Sequence, residues 1–275
     1  MKNKFKEEIK KFILNRGADL VGFASVDRFA EAPDGTKPQD LLPNAKTVVT
    51  FAVHIPDGIV DSLPSASYQA QGYIVLTEML NELGFHVAVF LERRGYKSRA
   101  MPASYGVKER RTIGEWPNMK IHSLSDFSHR HAAEKAGLGK IGKNNILITP
   151  MFGPRVRLQS VITTASLEPD SMIEEEICVC KKCQSIEKCP AKALTEYKTD
   201  YYRCSRRQRY VLDEGDADFE QRDRAFAERM RNKARQHPLE WSSELIAHTD
   251  YGSTSCGICL RECIIGVQSA KKRLR

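Results

Sequence analysis

The position of the cysteines constrains this chain more than any other feature. The first 177 residues contain none, and eight then follow in two groups: Cys178, Cys180, Cys183 and Cys189, then Cys204, Cys256, Cys259 and Cys263. A disulfide framework is typical of small secreted domains, whereas this 275-residue chain opens with a charged segment that lacks the apolar stretch of a signal peptide. Clustered thiols in a reducing compartment usually hold a metal. We therefore expect a metal-binding C-terminal unit in a cytoplasmic protein.

The spacing of these cysteines favours two [4Fe–4S] clusters. Two-cluster ferredoxins use a C-x₂-C-x₂-C-x₃-C-P run, in which three cysteines bind one cluster and the fourth binds the other. The first group here has one residue fewer after its first cysteine and two more before its last, which precedes Pro190. Two Cys₄ zinc sites are the alternative, although zinc sites usually show separate C-x₂-C pairs. The crossover rule assigns cluster I to Cys178, Cys180, Cys183 and Cys263, and cluster II to Cys189, Cys204, Cys256 and Cys259.

Hydrophobic patterning predicts an α+β domain before the cysteines. Helices are expected over residues 4–15, 68–94 and 126–136, and strands over 18–26, 44–55, 96–103, 146–148 and 156–162. Ser125 is the candidate N-cap of the third helix, and Gly84 has the capacity to divide the second in two. We place a domain boundary near Pro169, giving units 1–169 and 170–275, with a charged helical insertion over 205–250. No apolar run approaches the roughly 20 residues that span a bilayer, so no membrane association is expected.

A glycine-rich segment, 137–142, satisfies the pattern G-x-G-x-x-G. A dinucleotide-binding fingerprint needs a strand before it and a helix after it, and here the predicted order is the reverse. Glycines also allow the backbone to approach either a packed element or a flat ligand closely, and both interpretations remain open. Lys143, Asn144 and Asn145 follow the segment and can donate hydrogen bonds to polar ligand groups.

Three features together resemble the epoxyqueuosine reductase family and its relatives, the corrinoid-dependent reductive dehalogenases: segment 136–148, the turn at Phe152-Gly153, and the cysteine grouping. The resemblance covers residues 18–265. It implies a nitroreductase-like N-terminal domain of the cobalamin-binding type, followed by a ferredoxin-like domain with the two clusters. It also implies that electrons pass through the clusters to the cobalt of a corrinoid, whose low-valent form reduces the substrate. The corrinoid-loop positions that it implies are Gly137, Leu138, Gly139, Ile141, Gly142, Lys143 and Asn144.

The sequence departs from the family pattern in three ways. Ser123 stands where the tRNA enzyme carries its proton-donating aspartate, and Lys140 replaces the usual tryptophan. With twelve residues after Cys263 in this sequence, we also expect the helical-repeat extension that helps grip tRNA to be missing. A corrinoid-driven reduction needs a proton source near the substrate. Asp126 and His129 are the candidate proton donors. The alternatives are a helix-capping role for Asp126 and a structural role for His129.

The net charge of +8 suits an anionic partner such as tRNA, an acidic protein or a phosphate-bearing cofactor, or simply a solvated basic surface. Three functions follow from the pattern. The first is a corrinoid-linked reductase of a small molecule or modified base, supplied by a low-potential donor such as ferredoxin or flavodoxin. The second is an electron-transfer protein that reduces a partner, for example a corrinoid protein. The third is a tRNA epoxyqueuosine reductase.

Overall fold

The computed structural model describes residues 2–103, 109–113, 120–124, 127–200, 203–204 and 256–273. The described helices are α1 (Lys2–Leu14), a 3-10 helix (Val26–Phe29), α2 (Pro38–Leu41), α3 (Asp57–Asp61), a π-helix (Tyr68–Val75), α4 (Leu76–Glu92), α5 (His129–Lys135), α6 (Gln184–Glu187), α7 (Ile258–Arg261) and α8 (Ile264–Arg273). The described strands are β1 (Leu20–Ser25), β2 (Thr47–His54), β3 (Ser98–Met101), β4 (Glu109–Ile113), β5 (Lys120–Leu124), β6 (Lys140–Ile141), β7 (Leu147–Ile148), β8 (Val156–Thr163), β9 (Leu194–Thr195) and β10 (Lys198–Thr199).

A four-stranded antiparallel sheet with the order β1-β2-β8-β3 forms the centre of the fold. Strands β2 and β8 pair along their whole length, from Thr47 opposite Thr163 to His54 opposite Val156. Most of their residues are buried, as expected for strands with a helix layer on each side. The long central pair therefore positions everything that packs on the sheet.

One face of the sheet carries α1 and α4. The inward side chains of α1 are Ile9 and Ile13, and both are fully buried. Helix α4 approaches β8 closely, because a Cβ at Gly84 would lie 2.4 Å from the Gln159 side-chain amide. The largest core cluster lies here and includes Phe23, Val49, Phe51, Leu80, Val87, Leu91 and Val161.

The opposite face carries α5, which packs through small side chains. Ala132 and Ala136 are buried in a cluster with Val48 and Ile162 of the central strands. A Cβ at Gly22 of β1 would lie 2.4 Å from the Ala136 carbonyl oxygen. Small residues on both sides thus bring the end of α5, and the glycine segment after it, onto the sheet.

The structure corrects two helix predictions. The third helix begins at His129 with Ser128 at its N-cap, so it is shorter than the predicted 126–136, and Ser125 and Asp126 lie outside the described residues. The second helix runs through Gly84 without a break, and its first eight residues form a π-helix. Gly84 marks a close approach of α4 to the sheet and does not end a helix.

The structure corrects the expectation that no apolar run approaches a membrane-spanning length: among the described residues, the helical stretch Tyr68–Glu92 is long and apolar enough by length and composition alone. Leu80, Val87 and Leu91 of this stretch are fully buried on the sheet. A buried core helix meets the same length and composition criteria, and the packing of α4 matches that case.

Among the described residues of the cysteine-bearing part, the elements are short except for one longer helix, α8. Gly153 has a positive φ of 58°, and a Cβ there would lie 2.7 Å from the Cα of Gly266 in α8. The Arg273 guanidinium at the other end of α8 donates to the Met151 carbonyl at 2.6 Å. Helix α8 is thus fixed at two points to the turn before β8. The predicted insertion over 205–250 lies outside the described residues, and the boundary near Pro169 stays a prediction.

Candidate metal centres and the glycine loop

The four cysteines assigned to cluster I come together in the structure. The Cys178 and Cys180 sulfurs lie 3.6 Å apart, and Cys178 and Cys263 are buried against Ile148. Burial, followed by the neighbouring thiols of Cys178, Cys183 and Cys263, raises the pKa of Cys180 to about 11. Each of the other three thiols therefore lies close enough to disfavour a thiolate at Cys180. Cys263 reaches this group from the start of α8, 74 residues or more from the others in sequence.

The four cysteines assigned to cluster II line one cavity. Its volume is about 250 Å³. Burial, followed by the neighbouring thiols of Cys204, Cys256 and Cys189, raises the pKa of Cys259 to about 12. The lining residues are Tyr68, Tyr73, Ile146, Arg157, Cys189, Pro190, Ala191, Leu194, Cys204, Cys256, Gly257, Ile258, Cys259 and Leu260.

The donor set fits iron–sulfur chemistry. Four thiols crowded in a partly apolar environment resist ionisation, and a bound cation reverses that preference and makes them thiolate ligands. The Ala193 amide nitrogen lies 3.4 Å from the Cys189 sulfur, the kind of hydrogen bond that adjusts cluster potentials. In the part of the chain that the structure describes, no group of three or more His, Cys, Asp or Glu side chains is arranged to hold a metal ion as it stands.

Two local features position Cys259. Gly257 has a positive φ of 58° and starts α7, with Leu63 directly beside its Cα. The Ser185 hydroxyl is fully buried and donates to the Cys259 carbonyl at 2.8 Å. The backbone that carries this cysteine is thus fixed from both the N-terminal part and the first cysteine group.

The three glycines of segment 137–142 all pack against the chain's own atoms. A Cβ at Gly137 would lie 2.1 Å from the Ser171 carbonyl oxygen. A Cβ at Gly139 would lie 2.3 Å from the Ile148 carbonyl oxygen, and one at Gly142 would lie 2.3 Å from the Ile148 side chain. Close packing thus accounts for all three glycines, and Leu138 between them is buried in a small apolar cluster.

The polar residues after the glycines bind the cysteine-bearing part. The three pairs are Lys143–Glu196 (3.3 Å), Asn144–Ser185 (3.2 Å) and Asn145–Thr199 (3.1 Å). Asn144 is 1% exposed, so its amide is committed to the protein interior. Contacts of this segment with a corrinoid stay a prediction. The predicted corrinoid-loop positions lie in a segment that joins the two parts of the chain. They are Gly137, Leu138, Gly139, Ile141, Gly142, Lys143 and Asn144.

His129 uses both ring nitrogens within the protein. Its Nε2 lies 2.8 Å from the Pro102 carbonyl oxygen, which only accepts, so Nε2 carries the hydrogen. Its Nδ1 lies 3.0 Å from the Ser160 hydroxyl, which in turn lies 3.0 Å from the Thr50 hydroxyl. Burial is the main cause that lowers the pKa of His129 to about 4. These contacts favour the structural alternative, and the roles of His129 and of Asp126, which lies outside the described residues, as proton donors stay predictions.

Sequence analysis does not predict the residues of the N-terminal part that line this cavity. Tyr68 and Tyr73 come from the π-helix, and Arg157 comes from β8. The two tyrosines are five residues apart, a spacing that a π-helix brings together through its i→i+5 pattern but an α-helix does not. Helical periodicity read at 3.6 residues per turn therefore misses this pair.

Comparisons with known proteins support the resemblance. No protein-family model matches the chain. The epoxyqueuosine reductase of Bacillus cereus is 29% identical over 215 residues, covering 70% of this chain and 52% of that protein. The tetrachloroethene reductive dehalogenase of Desulfitobacterium hafniense is 27% identical over 195 residues, covering 70% of this chain and 30% of that protein. This chain thus spans about half the length of the reductases it matches, and less of the dehalogenases.

Solved structures of both types share the fold. An epoxyqueuosine reductase with a tRNA-Tyr epoxyqueuosine-modified stem loop gives a TM-score of 0.52 at 24% identity, covering 78% of this chain and 59% of that one. A reductive dehalogenase structure gives a TM-score of 0.54 at 18% identity, covering 76% of this chain and 29% of that one. At such identities the structural likeness establishes the mixed α/β fold. The resemblance to both groups that the sequence predicts is confirmed.

Proposed function

We propose that the chain is an iron–sulfur oxidoreductase in which two [4Fe–4S] clusters supply electrons to a corrinoid in the N-terminal part for the reduction of a substrate. The main support is the meeting of two four-thiol groups, each assembled from separate stretches of sequence. The relatives named reductases and dehalogenases point to the same class of chemistry. The electron donor is a low-potential ferredoxin or flavodoxin, and the location is cytoplasmic.

Each group of thiols would hold one cluster, and the surrounding residues would control its environment. A bound [4Fe–4S] cluster accepts and releases one electron at a potential set by charge, hydrogen bonds and solvent access. Leu194 and Leu260 give apolar surface to the cavity that cluster II would occupy, and the Ala193 amide donates towards the Cys189 sulfur. Ser185 fixes the backbone of Cys259. These residues restrict water and hold the thiol positions constant between redox states.

A corrinoid in the N-terminal part rests on the resemblance and on the glycine loop. The loop's backbone passes between the sheet and the cysteine-bearing part, which is where an electron acceptor for the clusters belongs. The electron-transfer protein without a substrate site is the alternative. It predicts cluster reduction and corrinoid-protein reduction but no turnover of a small substrate.

Reduction of epoxyqueuosine in tRNA is the second candidate function. Relatives carry that name, and one solved neighbour holds a tRNA stem loop. Ser123, at the position of the family's aspartate, lies in β5 opposite Arg110. A serine hydroxyl is a much weaker acid than a carboxyl group, so another group must supply the proton on this hypothesis.

The proposal is tested by anaerobic purification, with iron, sulfide, cobalt and flavin quantified together. We expect roughly eight iron and eight sulfide per chain and stoichiometric binding of added cobalamin. Cys180→Ala and Cys256→Ala, one from each group, should each lose roughly half of the iron. Stoichiometric zinc without acid-labile sulfide would contradict the cluster assignment, and absence of cobalamin binding by the iron-loaded protein would contradict the corrinoid step.

The substrate is tested with the cobalamin-loaded protein, dithionite and an epoxyqueuosine-modified tRNA-Tyr stem loop. Conversion of epoxyqueuosine, followed by mass spectrometry, would support the tRNA hypothesis. Binding of the stem loop should weaken steeply as the salt concentration rises, because phosphate contacts dominate nucleic-acid affinity. Reduction of cobalamin without any conversion, and without salt-sensitive retention, would remove tRNA as the substrate. A panel of halogenated phenols then tests the dehalogenase reading with halide release as the measurement.

A further inference from the structure

Arg157 is placed in an unusual electrostatic position. It lies on β8, on the sheet face that carries the π-helix, and its guanidinium carbon is 4.2 Å from the Tyr73 ring centroid. It lines the cavity that holds the sulfurs of Cys189, Cys204, Cys256 and Cys259. Among the described residues around that cavity, Arg157 carries the one positive charge.

The rest of the wall makes this charge effective. Apart from the cysteines the lining is largely aliphatic and aromatic, and tyrosines 68 and 73 flank the guanidinium. Tyr68 is 5% exposed, and burial, opposed by Arg157, raises its pKa. Charges interact more strongly across such an environment than across water. An arginine stays protonated at every accessible pH, so its effect is constant.

We propose that Arg157 raises the reduction potential of the cluster held by Cys189, Cys204, Cys256 and Cys259. The inference rests on the proposed iron–sulfur function. On reduction the cluster gains one electron from the low-potential donor, no bond is made or broken, and no proton is needed. The site becomes one unit more negative, and the fixed guanidinium charge stabilises that form over the oxidised one.

The position of Arg157 in the N-terminal part determines the direction of electron transfer that a higher cluster II potential would favour. Arg157 belongs to the central sheet of the N-terminal part, whereas cluster I lies beside the start of α8 and the turn at Ile148. A higher potential at cluster II draws electrons from cluster I towards the sheet that contributes Arg157. Arg157 is therefore a positioning and tuning residue, and not a catalytic one.

The test compares Arg157→Gln, Arg157→Met and Arg157→Lys in the holoprotein by redox titration followed with electron paramagnetic resonance. Cys180→Ala and Cys256→Ala identify which signal belongs to which cluster. For the two neutral variants we expect the equilibrium constant for reduction of cluster II to fall about tenfold, a shift of about 59 mV to more negative potential. Arg157→Lys should remain within about threefold of wild type, because it retains the charge.

The matched control is Arg203→Gln. It removes the same charge one residue from Cys204, but the Arg203 side chain is 60% exposed and lies beside Asp200. Solvent screens such a charge, so the shift should be much smaller than for Arg157→Gln. The cluster I potential should not change in any of these variants.

The outcomes separate the inference from the function on which it rests. Absence of iron and sulfide from the wild-type protein refutes the iron–sulfur function itself. Two intact clusters with an unchanged cluster II potential in Arg157→Gln or Arg157→Met refute the tuning role alone. If neither neutral variant assembles cluster II while Arg157→Lys does, the arginine is needed for assembly and the tuning proposal is also overturned.

Discussion

Loss of the buried carboxylate of Asp57 should be strongly destabilising for this protein. Asp57 begins α3 and is 8% exposed. Its Oδ1 lies 2.9 Å from Nη1 of Arg155, which is 1% exposed, and 2.7 Å from Nη2 of Arg273 at the end of α8. Asp57→Asn preserves the shape of the side chain but leaves two arginines together without their shared counter-ion.

The expected magnitude follows from burial. Removing one partner of a buried ion pair costs about 3–5 kcal/mol, because the remaining charge is left uncompensated. With a urea slope of about 3 kcal/mol per molar, the unfolding midpoint should fall by about 1–1.7 M. Burial alone would raise the pKa of Asp57, but Arg273 and Arg155 outweigh it, so the pKa lies below its usual value. The carboxylate therefore stays charged, and the effect should be constant from pH 8 to about pH 5 and be lost only as the pH falls through that lowered pKa.

The assay is urea unfolding of the anaerobic holoprotein, followed by far-ultraviolet circular dichroism. Asp61→Asn is the matched control, because Asp61 lies 2.8 Å from Nη2 of the same Arg155 but is 61% exposed. Exposed ion pairs contribute about 0–1 kcal/mol, so its midpoint should move by about 0.3 M or less. Equal shifts for Asp57→Asn and Asp61→Asn would refute the reasoning from burial.

Three further predictions concern packing, pH and a buried hydrogen bond. Gly139→Ala should lower the urea midpoint and the bound iron, since its Cβ would meet a backbone carbonyl at 2.3 Å. Gly58→Ala, in α3 with open space around its Cα, should lower neither, because alanine favours a helix more than glycine does. The pKa of His129 is lowered to about 4, so the wild-type free energy of unfolding should decline as pH falls from about 6.5 towards 4. The pKa values of His54 and His131 are lowered too, so His129→Gln should show a smaller decline than wild type in urea titrations at pH 7 and 5.5. Ser185→Ala should cost about 1–3 kcal/mol in the same assay by leaving buried polar groups unpaired, and a double-mutant cycle with Asn144→Ala should show coupling between the two residues.

The parts of this fold that sequence predicts are those set by local pattern. Strand β2 is predicted from a largely apolar run and β8 from Val156, Leu158, Val161 and Ile162, and the predicted ranges 44–55 and 156–162 match β2 and β8 within a few residues. The cysteine spacing, by comparison with the ligand pattern of two-cluster ferredoxins, predicts two sets of four thiols. The structure places the members of each set close together, and their role as cluster ligands stays a prediction.

The parts that sequence does not predict depend on distant neighbours. The sequence left packing and ligand binding open as roles for the glycine segment. The atoms that Cβ atoms at these glycines would meet belong to Ser171 and Ile148, which lie further along the chain. Arg157 in a strand otherwise reads as an exposed position, and only the packing of the π-helix shows that it faces a thiol-lined cavity. Helix α5 begins at His129 and not at residue 126 as predicted, and the ring of His129 is held by Pro102 and Ser160, which are distant in sequence.

The polar contacts between the glycine loop and the thiol groups have a consequence for electron transfer. Asn144 donates to Ser185, and Ser185 donates to the Cys259 carbonyl, so three buried groups connect the loop to one wall of the cluster II cavity. A redox centre works only if its neighbours hold a fixed distance and orientation, and locked, hydrogen-bonded side chains provide this better than an apolar interface that can slide. On this argument the loop's contribution is to fix cluster II relative to the sheet that carries Arg157. A bound electron acceptor beside the loop would then meet the cluster at a constant separation, whichever substrate it serves.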